Sequence, residues 1–235
     1  MADIKRVALV TGGNRGLGFE TCRQLAQRGL KVILTSRDGL SGKAAADKLQ
    51  TEGLNVAYYP LDVTRSESIL RLSEEIERHY KRLDVLVNNA GVMGESTGAA
   101  VDQDLASVRA ELEVNTLGAF GVCRMAVPLM QRHNYGRIVN VSSNLAQLSR
   151  MGPGYAGYRM SKAALNALTC VLAAELKQDN ILVNSVSPGW ARTRMGGANA
   201  PLSPAEAVEG IVWAATLSPD GPTGGFFENK QPLEW

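Results

Sequence analysis

The sequence predicts a doubly wound α/β fold in which a seven-stranded parallel sheet is covered by helices on both faces. Short apolar runs alternate with longer helical patterns along the chain. The apolar runs are continuous stretches rich in Val, Ile and Leu, which is typical of strands buried on both faces of a parallel sheet. A chain of 235 residues with this rhythm is expected to form one domain over residues 1–235.

The predicted strands and helices follow one another in a regular order. The strands occupy residues 4–11, 31–36, 55–61, 83–89, 136–143, 181–188 and 224–228. The helices occupy residues near 15–29, 40–52, 66–81, 102–131, 155–178 and 203–217. The segment 102–131 is long for a helix and contains only Gly118, Gly121 and Pro128 as breakers, so one helix and two helices both remain open.

The composition excludes several classes of protein. Basic and acidic residues are nearly balanced, at 25 and 23, and no basic stripe with interleaved aromatic residues appears, so nucleic acid is not an expected partner. No apolar run reaches the length of a membrane span and no signal-peptide pattern opens the sequence, which favours a cytoplasmic protein without membrane attachment. The widely spaced Cys22, Cys123 and Cys170 fit neither a disulfide framework nor a metal site, and each is expected to be a small core residue.

A glycine-rich turn joins the first strand to the first helix. Residues Thr11–Gly18 read TGGNRGLG, and glycines here permit a tight turn and let backbone N–H groups approach a pyrophosphate. The helix N-terminus behind the turn adds partial positive charge and unpaired donors. The spacing is G-x-x-x-G-x-G and not the commoner G-x-G-x-x-G. The strand before it and the helix after it nevertheless form the context of a dinucleotide-binding turn.

The end of the second strand indicates which dinucleotide would bind. An acid at this place binds the ribose 2′-hydroxyl of NAD, but here Ser36 occupies it and Arg37 follows. A guanidinium suits a 2′-phosphate, and Arg15 in the glycine-rich turn offers a second cation. Asp38 stays open as an NAD-selecting acid, although it falls two positions late and is better placed to cap the next helix. The pattern favours NADPH.

A tyrosine and a lysine stand four residues apart at Tyr158 and Lys162. In a helix these residues share one face, about one turn apart. A nearby positive charge favours phenolate and lowers a tyrosine pKa, which makes the phenol a proton donor suited to acid–base chemistry. The run that follows, AALNALTCVLAAEL, is apolar nearly all round and predicts a buried helix. Tyr155 lacks this arrangement, because Arg159 lies four residues beyond it.

These features stand together in chain order with two others, the run NNAG at 88–91 and Ser143. The whole set resembles the short-chain dehydrogenase/reductase family, and the resemblance covers essentially the entire chain. The stretches LTSRD, SPGWARTRMGG and GPTGGFFENKQPLEW look closest to the branch of NADPH-dependent carbonyl reductases. The likeness implies a Rossmann-type fold, NADPH/NADP+ as the cofactor, no metal, and transfer of hydride to a carbonyl carbon.

The resemblance implies that Asn115, Ser143, Tyr158 and Lys162 are the catalytic residues. Tyr158 would protonate the carbonyl oxygen, Ser143 would hydrogen-bond it, and Lys162 would lower the tyrosine pKa and hold the nicotinamide ribose. Asn115 would hold a water that links Lys162 to solvent. Ser142 competes with Ser143, because alternation along a strand turns only one of them toward the site.

The same likeness implies cofactor contacts at the carboxyl ends of the strands. Asp62 would meet the adenine amino group, Asn88 would mainly tie strands together, and Thr193 would face the nicotinamide carboxamide. The full predicted cofactor set is Gly12, Asn14, Arg15, Gly16, Leu17, Gly18, Arg37, Asp62, Val63, Asn88, Ala90, Gly91, Tyr158, Lys162, Pro188, Gly189, Ala191 and Thr193.

The substrate side is predicted from an irregular segment at 189–204, whose glycines and prolines indicate a lid or binding loop. The predicted substrate contacts are Ser143, Tyr158 and Trp190. An apolar mouth would favour a hydrophobic aldehyde or ketone, and its candidate residues are Trp190, Met195, Met93, Met151, Leu145 and Tyr155.

Two other functions remain open. A 3-oxoacyl-[acyl-carrier-protein] reductase would need a basic docking patch beside the mouth, for which Arg124 and Arg132 are the candidates. A dinucleotide-binding sensor without chemistry would be expected to lack part of the catalytic set. The wide apolar surface of the helix at 155–178 also predicts a homodimer or homotetramer, since such a face usually meets a partner.

Overall fold

One eight-stranded sheet forms the centre of the computed structural model, which describes residues 5–94 and 98–235. The strands are β1 (Val7–Val10), β2 (Lys31–Ser36), β3 (Val56–Pro60), β4 (Val85–Asn88), β5 (Gly136–Val141), β6 (Ile181–Ser187), β7 (Phe226–Glu228) and β8 (Gln231–Pro232). Their order across the sheet is β3-β2-β1-β4-β5-β6-β7-β8. The first seven pair in parallel, which confirms the predicted doubly wound sheet.

The eighth strand corrects the predicted count of seven. After β7 the chain turns back at Asn229 and Lys230, which both have positive φ angles, of 50° and 65°. Two consecutive residues with positive φ match the twist of a tight hairpin turn. The returning strand β8 therefore pairs with β7 in the antiparallel direction.

Helices cover both faces of the sheet. They are α1 (Gly16–Gln27), α2 (Gly39–Thr51), α3 (Ser66–His79), α4 (Leu105–Leu112), α5 (Ala119–Gln131), α6 (Ala156–Glu175), α7 (Pro204–Ala207) and α8 (Glu209–Ala215). Alternate residues of each strand enter opposite cores, so that Ala8 and Val10 pack with α1, α2 and α8 while Val7 and Leu9 pack with α3, α5 and α6. Among the described residues, no helix combines the length and apolar character needed to cross a membrane.

The long segment predicted at 102–131 is neither one regular helix nor two separate ones. A π-helical turn, Glu113–Gly118, joins α4 to α5 without a break. Gly118 is required at the end of this turn, because a Cβ there would lie 2.7 Å from Cγ2 of Val63. The wider turn changes the direction in which the side chains that follow it point, and turns of this kind are frequent at functional sites.

Three further predictions need correction. The helix predicted at 203–217 is divided into α7 and α8, and residue 4 of the first predicted strand lies outside the described residues. Cys22 and Cys123 are buried as predicted, but Cys170 is exposed. Helix α6 is not buried all round, because only one side packs on the sheet and Val171 on the opposite side remains 53% exposed.

Candidate functional site

The glycine-rich turn is fixed to the ends of two neighbouring strands. The Thr11 hydroxyl accepts hydrogen bonds from the backbone N–H groups of Asn89 at 3.0 Å and Ala90 at 2.9 Å. The Asn89 side chain returns a bond to the Thr11 carbonyl at 2.8 Å. Gly12 and Gly16 have φ angles of 65° and 55°, a region that favours glycine. The ends of β1 and β4 are thus joined directly below the turn.

The turn leaves no room for side chains where it meets helix α1. A Cβ on Gly18 would overlap the carbonyl oxygen of Gly12. Arg15 occupies the N-cap position of α1, and its side chain makes no capping bond there. Leu17 packs against the core formed with α1, α2 and α8. This shape, with backbone close behind and a helix N-terminus facing outward, fits a pyrophosphate group.

The end of β2 is followed by two residues with different predicted roles, Asp38 as a helix cap and Arg37 as a cofactor contact. Asp38 caps α2, since its carboxylate accepts a bond from the Ser41 N–H at 2.7 Å, and the capping prediction is confirmed. The amide of Asn14 also reaches Ser41, donating to its hydroxyl at 3.0 Å, and so ties the glycine-rich turn to α2. Arg37 is exposed at the mouth of this region.

Asp62 lies at the carboxyl end of β3, within the electrostatic influence of Arg37. Burial raises the pKa of the Asp62 carboxyl, but hydrogen bonds from Thr64 and the charges of Arg37 and Arg65 outweigh that effect and lower the pKa overall. The Thr64 hydroxyl donates to Asp62 at 2.7 Å. Asp62 is therefore held as a carboxylate at this edge of the sheet, where it can accept hydrogen bonds.

Ser143 and Tyr158 meet at the carboxyl end of β5. Ser142, the competing residue, is buried on the other side of the strand, with no hydrogen-bond partner for its hydroxyl in the described structure. Tyr158 is 7% exposed, and burial raises its pKa to about 12. The Ser143 hydroxyl opposes this shift, and the charge of Glu111 adds to it. Ser143 is consequently the serine that faces the phenol.

The groups that shift the pKa of Tyr158 do not include Lys162, from which the sequence led us to expect a lowering. The Lys162 ammonium donates to the carbonyl of Val141 at 2.7 Å and lies 5.8 Å from the centre of the tyrosine ring. Lys162 is 4% exposed, and burial lowers its own pKa to about 8. The two side chains still share one helix face, as the four-residue spacing predicts, but desolvation dominates both pKa values.

Asn115 is brought to the same site by the π-helical turn. Its amide oxygen accepts from the Val92 N–H at 2.8 Å, and its amide nitrogen donates to the Val92 carbonyl at 2.8 Å and to Ser161 at 2.9 Å. A Cβ on Gly91 would lie 3.2 Å from the Asn115 amide oxygen and 3.5 Å from the Lys162 nitrogen. The amide hydrogens are thus engaged within the protein. The predicted water between Lys162 and solvent would have to use another group of Asn115.

Asn88 and Val63 serve the scaffold of the site. The Asn88 amide donates to Asn140 at 2.8 Å and thereby joins β4 to β5 in the buried interior. This contact matches the predicted role of tying strands together. Val63 packs against Gly118 of the π-helical turn. Neither side chain contacts the glycine-rich turn in the hydrogen bonds and close approaches of the described residues.

The segment at 189–204 folds back toward the glycine-rich turn after Pro188. Ala191 forms a β-bridge with Leu202, so the segment closes on itself. The methyl group of Thr193 would lie 3.4 Å from a Cβ on Gly16, which places Thr193 beside the turn. Gly189 has a φ angle of 71° where the segment leaves β6. The predicted carboxamide-facing residues therefore lie near the predicted pyrophosphate turn.

The predicted substrate residues differ in their surroundings. Trp190 is 58% exposed, and its indole N–H donates to the Gly196 carbonyl at 2.7 Å. Met151 instead lines an apolar cavity of about 430 Å³ beside the first turn of α6, together with Ala99, Ala100, Gly152, Pro153, Gly154, Ala156, Arg159 and Met160. Ser143 and Trp190 do not line that cavity. The apolar mouth that the sequence indicates stays a prediction.

Two features of the site were missed by sequence reasoning. Glu111 is buried near Tyr158, and an acid four residues before Asn115, on the same helix face, was the available signal. The final segment also packs beside the loop after Ser143, because the Gln147 amide donates to the Glu234 carbonyl at 2.9 Å. The Trp235 ring stacks on Phe226 with ring centres 5.5 Å apart. No local sequence signal predicts that docking.

Comparisons with known proteins agree with this geometry. The family model described as short chain dehydrogenase matches residues 6–201. The chain is 33% identical to "Carbonyl reductase [NADPH] 1" of Sus scrofa over 287 aligned positions, which cover 100% of this chain and 96% of the relative. Carbonyl reductase Sniffer of D. melanogaster superposes with a TM-score of 0.88 at 27% identity, covering 99% of this chain and 100% of that one. Salutaridine reductase from Papaver somniferum gives a TM-score of 0.84 at 30% identity, covering 96% and 100%.

Proposed function

Because the chain belongs to the short chain dehydrogenase family, whose members are oxidoreductases acting on alcohols and carbonyls, we propose that it is an NADPH-dependent carbonyl reductase that converts an apolar aldehyde or ketone to an alcohol. The observation that carries the proposal is the convergence of Ser143, Tyr158 and Lys162 at the edge of the sheet that also holds the glycine-rich turn. The segment after β4 borders both regions: a Cβ on Gly91 would lie 3.2 Å from the Asn115 amide oxygen and 3.5 Å from the Lys162 nitrogen, and the neighbouring Ala90 N–H donates to the Thr11 hydroxyl at 2.9 Å.

In this proposal the bound NADPH supplies a hydride to the carbonyl carbon. Ser143 and Tyr158 would hydrogen-bond the carbonyl oxygen, where negative charge grows during the reaction, so they stabilise the transition state more than the ground state. Tyr158 would then transfer its phenolic proton to that oxygen. With a pKa raised to about 12 by burial, the phenol is protonated at neutral pH and ready to donate.

Lys162 would serve in the return of that proton. Its pKa, lowered by burial to about 8, lies close to neutral pH, where a group exchanges protons most effectively. A Cβ on Gly91 would already approach its ammonium to 3.5 Å, so little space separates Lys162 from the wall on which a cofactor ribose would lie. Lys162 would therefore both replenish the phenol and hold ribose hydroxyls.

The choice of NADPH rests on the end of β2. Asp38 uses one carboxylate oxygen to cap α2, which supports a structural role for it and leaves Arg37 as the residue that would select the cofactor. Arg37 and Arg15 are both exposed at this end of the site, where a 2′-phosphate would meet them. The pig relative named "Carbonyl reductase [NADPH] 1" supports the same cofactor.

The competing functions are less well supported. A carrier-protein substrate would need a basic patch at the mouth, but Arg132 is paired with Glu77 at 2.8 Å and follows the far end of α5, where that helix approaches the start of β5. Arg124 lies over the ring of Phe120 at 6.0 Å. A sensor that has lost its chemistry would not be expected to retain all four predicted catalytic side chains in one site.

We also propose that the whole chain acts as one catalytic domain and assembles into a homodimer or homotetramer. Apolar side chains are exposed on the π-helical turn, on α5 and on α6, with Leu117 54%, Phe120 43% and Val171 53% exposed. Exposed apolar side chains of this size favour a partner surface. The proposed substrate is a small molecule, and a cytoplasmic location remains a prediction from the sequence.

The test is NADPH consumption with a panel of carbonyl compounds: benzaldehyde, cyclohexanone and menadione. We expect turnover with at least one of them, faster with NADPH than with NADH. The Tyr158→Phe protein serves as the matched blank, because it should retain the cofactor site. Absence of turnover across the panel, despite NADPH binding in a fluorescence titration, would support the sensor instead.

A further inference from the structure

Glu111 is a buried acid that the proposed mechanism does not use. It lies on α4, is 2% exposed, and makes no ion pair with a cation within the described parts of the chain. An unpaired buried carboxylate is costly unless hydrogen bonds satisfy it, so its retention calls for a function. Both carboxylate oxygens of Glu111 accept hydrogen bonds. One bond comes from the segment that follows β4 and the other from Gln103, which contacts the start of α6.

The first oxygen holds the segment that follows β4. The backbone N–H of Gly94 donates to Glu111 at 2.8 Å. One helical turn further on, the Asn115 amide exchanges two bonds with the backbone of Val92. Glu111 and Asn115, four residues apart, thus hydrogen-bond alternate residues of the same segment. Since this segment begins at Gly91 beside Lys162, Glu111 helps to fix the wall against which the catalytic residues lie.

The second oxygen holds the N-terminus of the helix that carries Tyr158. It accepts from the Gln103 amide at 3.2 Å, and Gln103 in turn accepts from the backbone N–H of Gly157 at 2.9 Å. A Cβ on Gly157 would overlap the Glu111 carboxylate, so the acid lies directly against the first turn of α6. Tyr155, at the N-cap position, makes no side-chain capping bond. Because no side chain near the start of α6 caps the helix, Gln103 accepts the bond from the Gly157 N–H, and Glu111 holds Gln103 in place.

We propose that Glu111 is a positioning residue that fixes the start of α6 against the wall of the site and sets the pH range over which Tyr158 donates its proton. The proposal rests on the proposed reductase function. The charged groups that face Tyr158 among the described residues are Lys162 from its own helix and Glu111 from α4. Arg159 is turned aside, because its guanidinium donates to the carbonyls of Gly154 and Leu145.

The electrostatic part of the proposal has a definite sign. A negative charge near a phenol disfavours the phenolate, so Glu111 favours the protonated, donating form of Tyr158. Removing that charge should make the phenol lose its proton at a lower pH. The reverse reaction, oxidation of an alcohol with NADP+, needs the deprotonated form and should therefore extend to lower pH when Glu111 is neutral.

Glu111→Gln tests this with little change in shape. We expect the pH profile of cyclohexanol or benzyl alcohol oxidation to shift downward by roughly 0.5–1 unit, the size of a partly screened like-charge effect. At pH values below the midpoint of the profile, a downward shift of one pH unit raises the oxidation rate about tenfold. Carbonyl reduction should slow by about threefold or more, while NADPH binding stays within about twofold, because Glu111 does not contact the glycine-rich turn.

Two further variants separate charge from position. Gln103→Leu keeps the carboxylate but removes the link to Gly157, so we expect slower reduction with an unshifted pH profile. Glu113→Gln neutralises an exposed acid two residues away and should match the wild type in every measurement. If Glu111→Gln yields no folded protein, Glu111→Met replaces it, since this variant removes the same charge with a side chain of similar length and should shift the profile in the same direction.

The outcomes distinguish this proposal from the one on which it rests. A wild type that reduces no compound of the panel contradicts the reductase function itself. An active wild type with an unshifted oxidation profile in Glu111→Gln, or in Glu111→Met where that variant replaces it, contradicts the role of Glu111, whatever the change in thermal stability.

Discussion

Replacing Tyr158 by Phe removes one oxygen from the centre of the proposed site. The ring is 7% exposed and packed, so Phe fills nearly the same volume and creates almost no cavity. Stability should change by no more than about 1 kcal/mol, because the phenol's interaction with Ser143 is lost while a buried polar atom is removed. The glycine-rich turn lies on β1 and is untouched by the change.

The effect on catalysis should be much larger. General acid catalysis typically contributes about 10²–10⁴ in rate, which corresponds to roughly 3–5 kcal/mol of transition-state stabilisation. We expect kcat for carbonyl reduction to fall by at least that lower factor, while the Kd for NADPH stays within about twofold. Steady-state kinetics with the best compound of the panel, together with a fluorescence titration of NADPH, measure both quantities.

Tyr155→Phe is the matched control, because it removes the same atom three residues away on a tyrosine whose partner at four residues is Arg159 and not lysine. Its kcat should remain close to that of the wild type. The reasoning would be refuted by an active wild type from which Tyr158→Phe differs by less than about threefold in kcat. An equal loss in both variants would indicate damage to the start of α6 and not loss of the acid.

Three other predictions concern the cofactor, the lysine and assembly. We expect the wild type to prefer NADPH over NADH by roughly ten- to a hundredfold, since a hydrogen bond to a charged group contributes about 1.5–3 kcal/mol. Arg37→Ala should reduce this preference, and equal efficiencies with the two cofactors in the wild type would contradict the assignment. Lys162→Met should raise the thermal unfolding midpoint at pH 7, because burial lowers the folded pKa to about 8, below the ordinary lysine value of 10.5, and the buried charge destabilises the fold below pH 8. That gain should vanish as the pH rises from about 8 to 10.5, and its absence at pH 7 in thermal scans would count against a buried ammonium. Light scattering at micromolar concentration should show at least a dimer, and Phe120→Glu should weaken it; a wild-type monomer would refute the assembly.

The sequence determined the parallel sheet, the glycine-rich turn and the pairing of Tyr158 with Lys162, because each depends on short-range order. Continuous apolar runs specify strands buried on both faces, and a four-residue spacing specifies a shared helix face whatever surrounds it. The resemblance named Ser143, alternation along the chain allowed only one of Ser142 and Ser143 to face the site, and burial of Ser142 favours Ser143.

Only the tertiary structure decided the electrostatics of the site. The pKa values of Tyr158 and Lys162 depend on how deeply both groups are buried, and desolvation is the largest cause of each shift. The buried Glu111 meets Gly157 across 46 positions of sequence only because α4 packs on α6. The contact between Gln147 and Glu234, which docks the final segment beside the loop after Ser143, is also a result of packing between distant segments. Such contacts depend on how distant segments fill the space between them, and local patterns carry no record of that geometry.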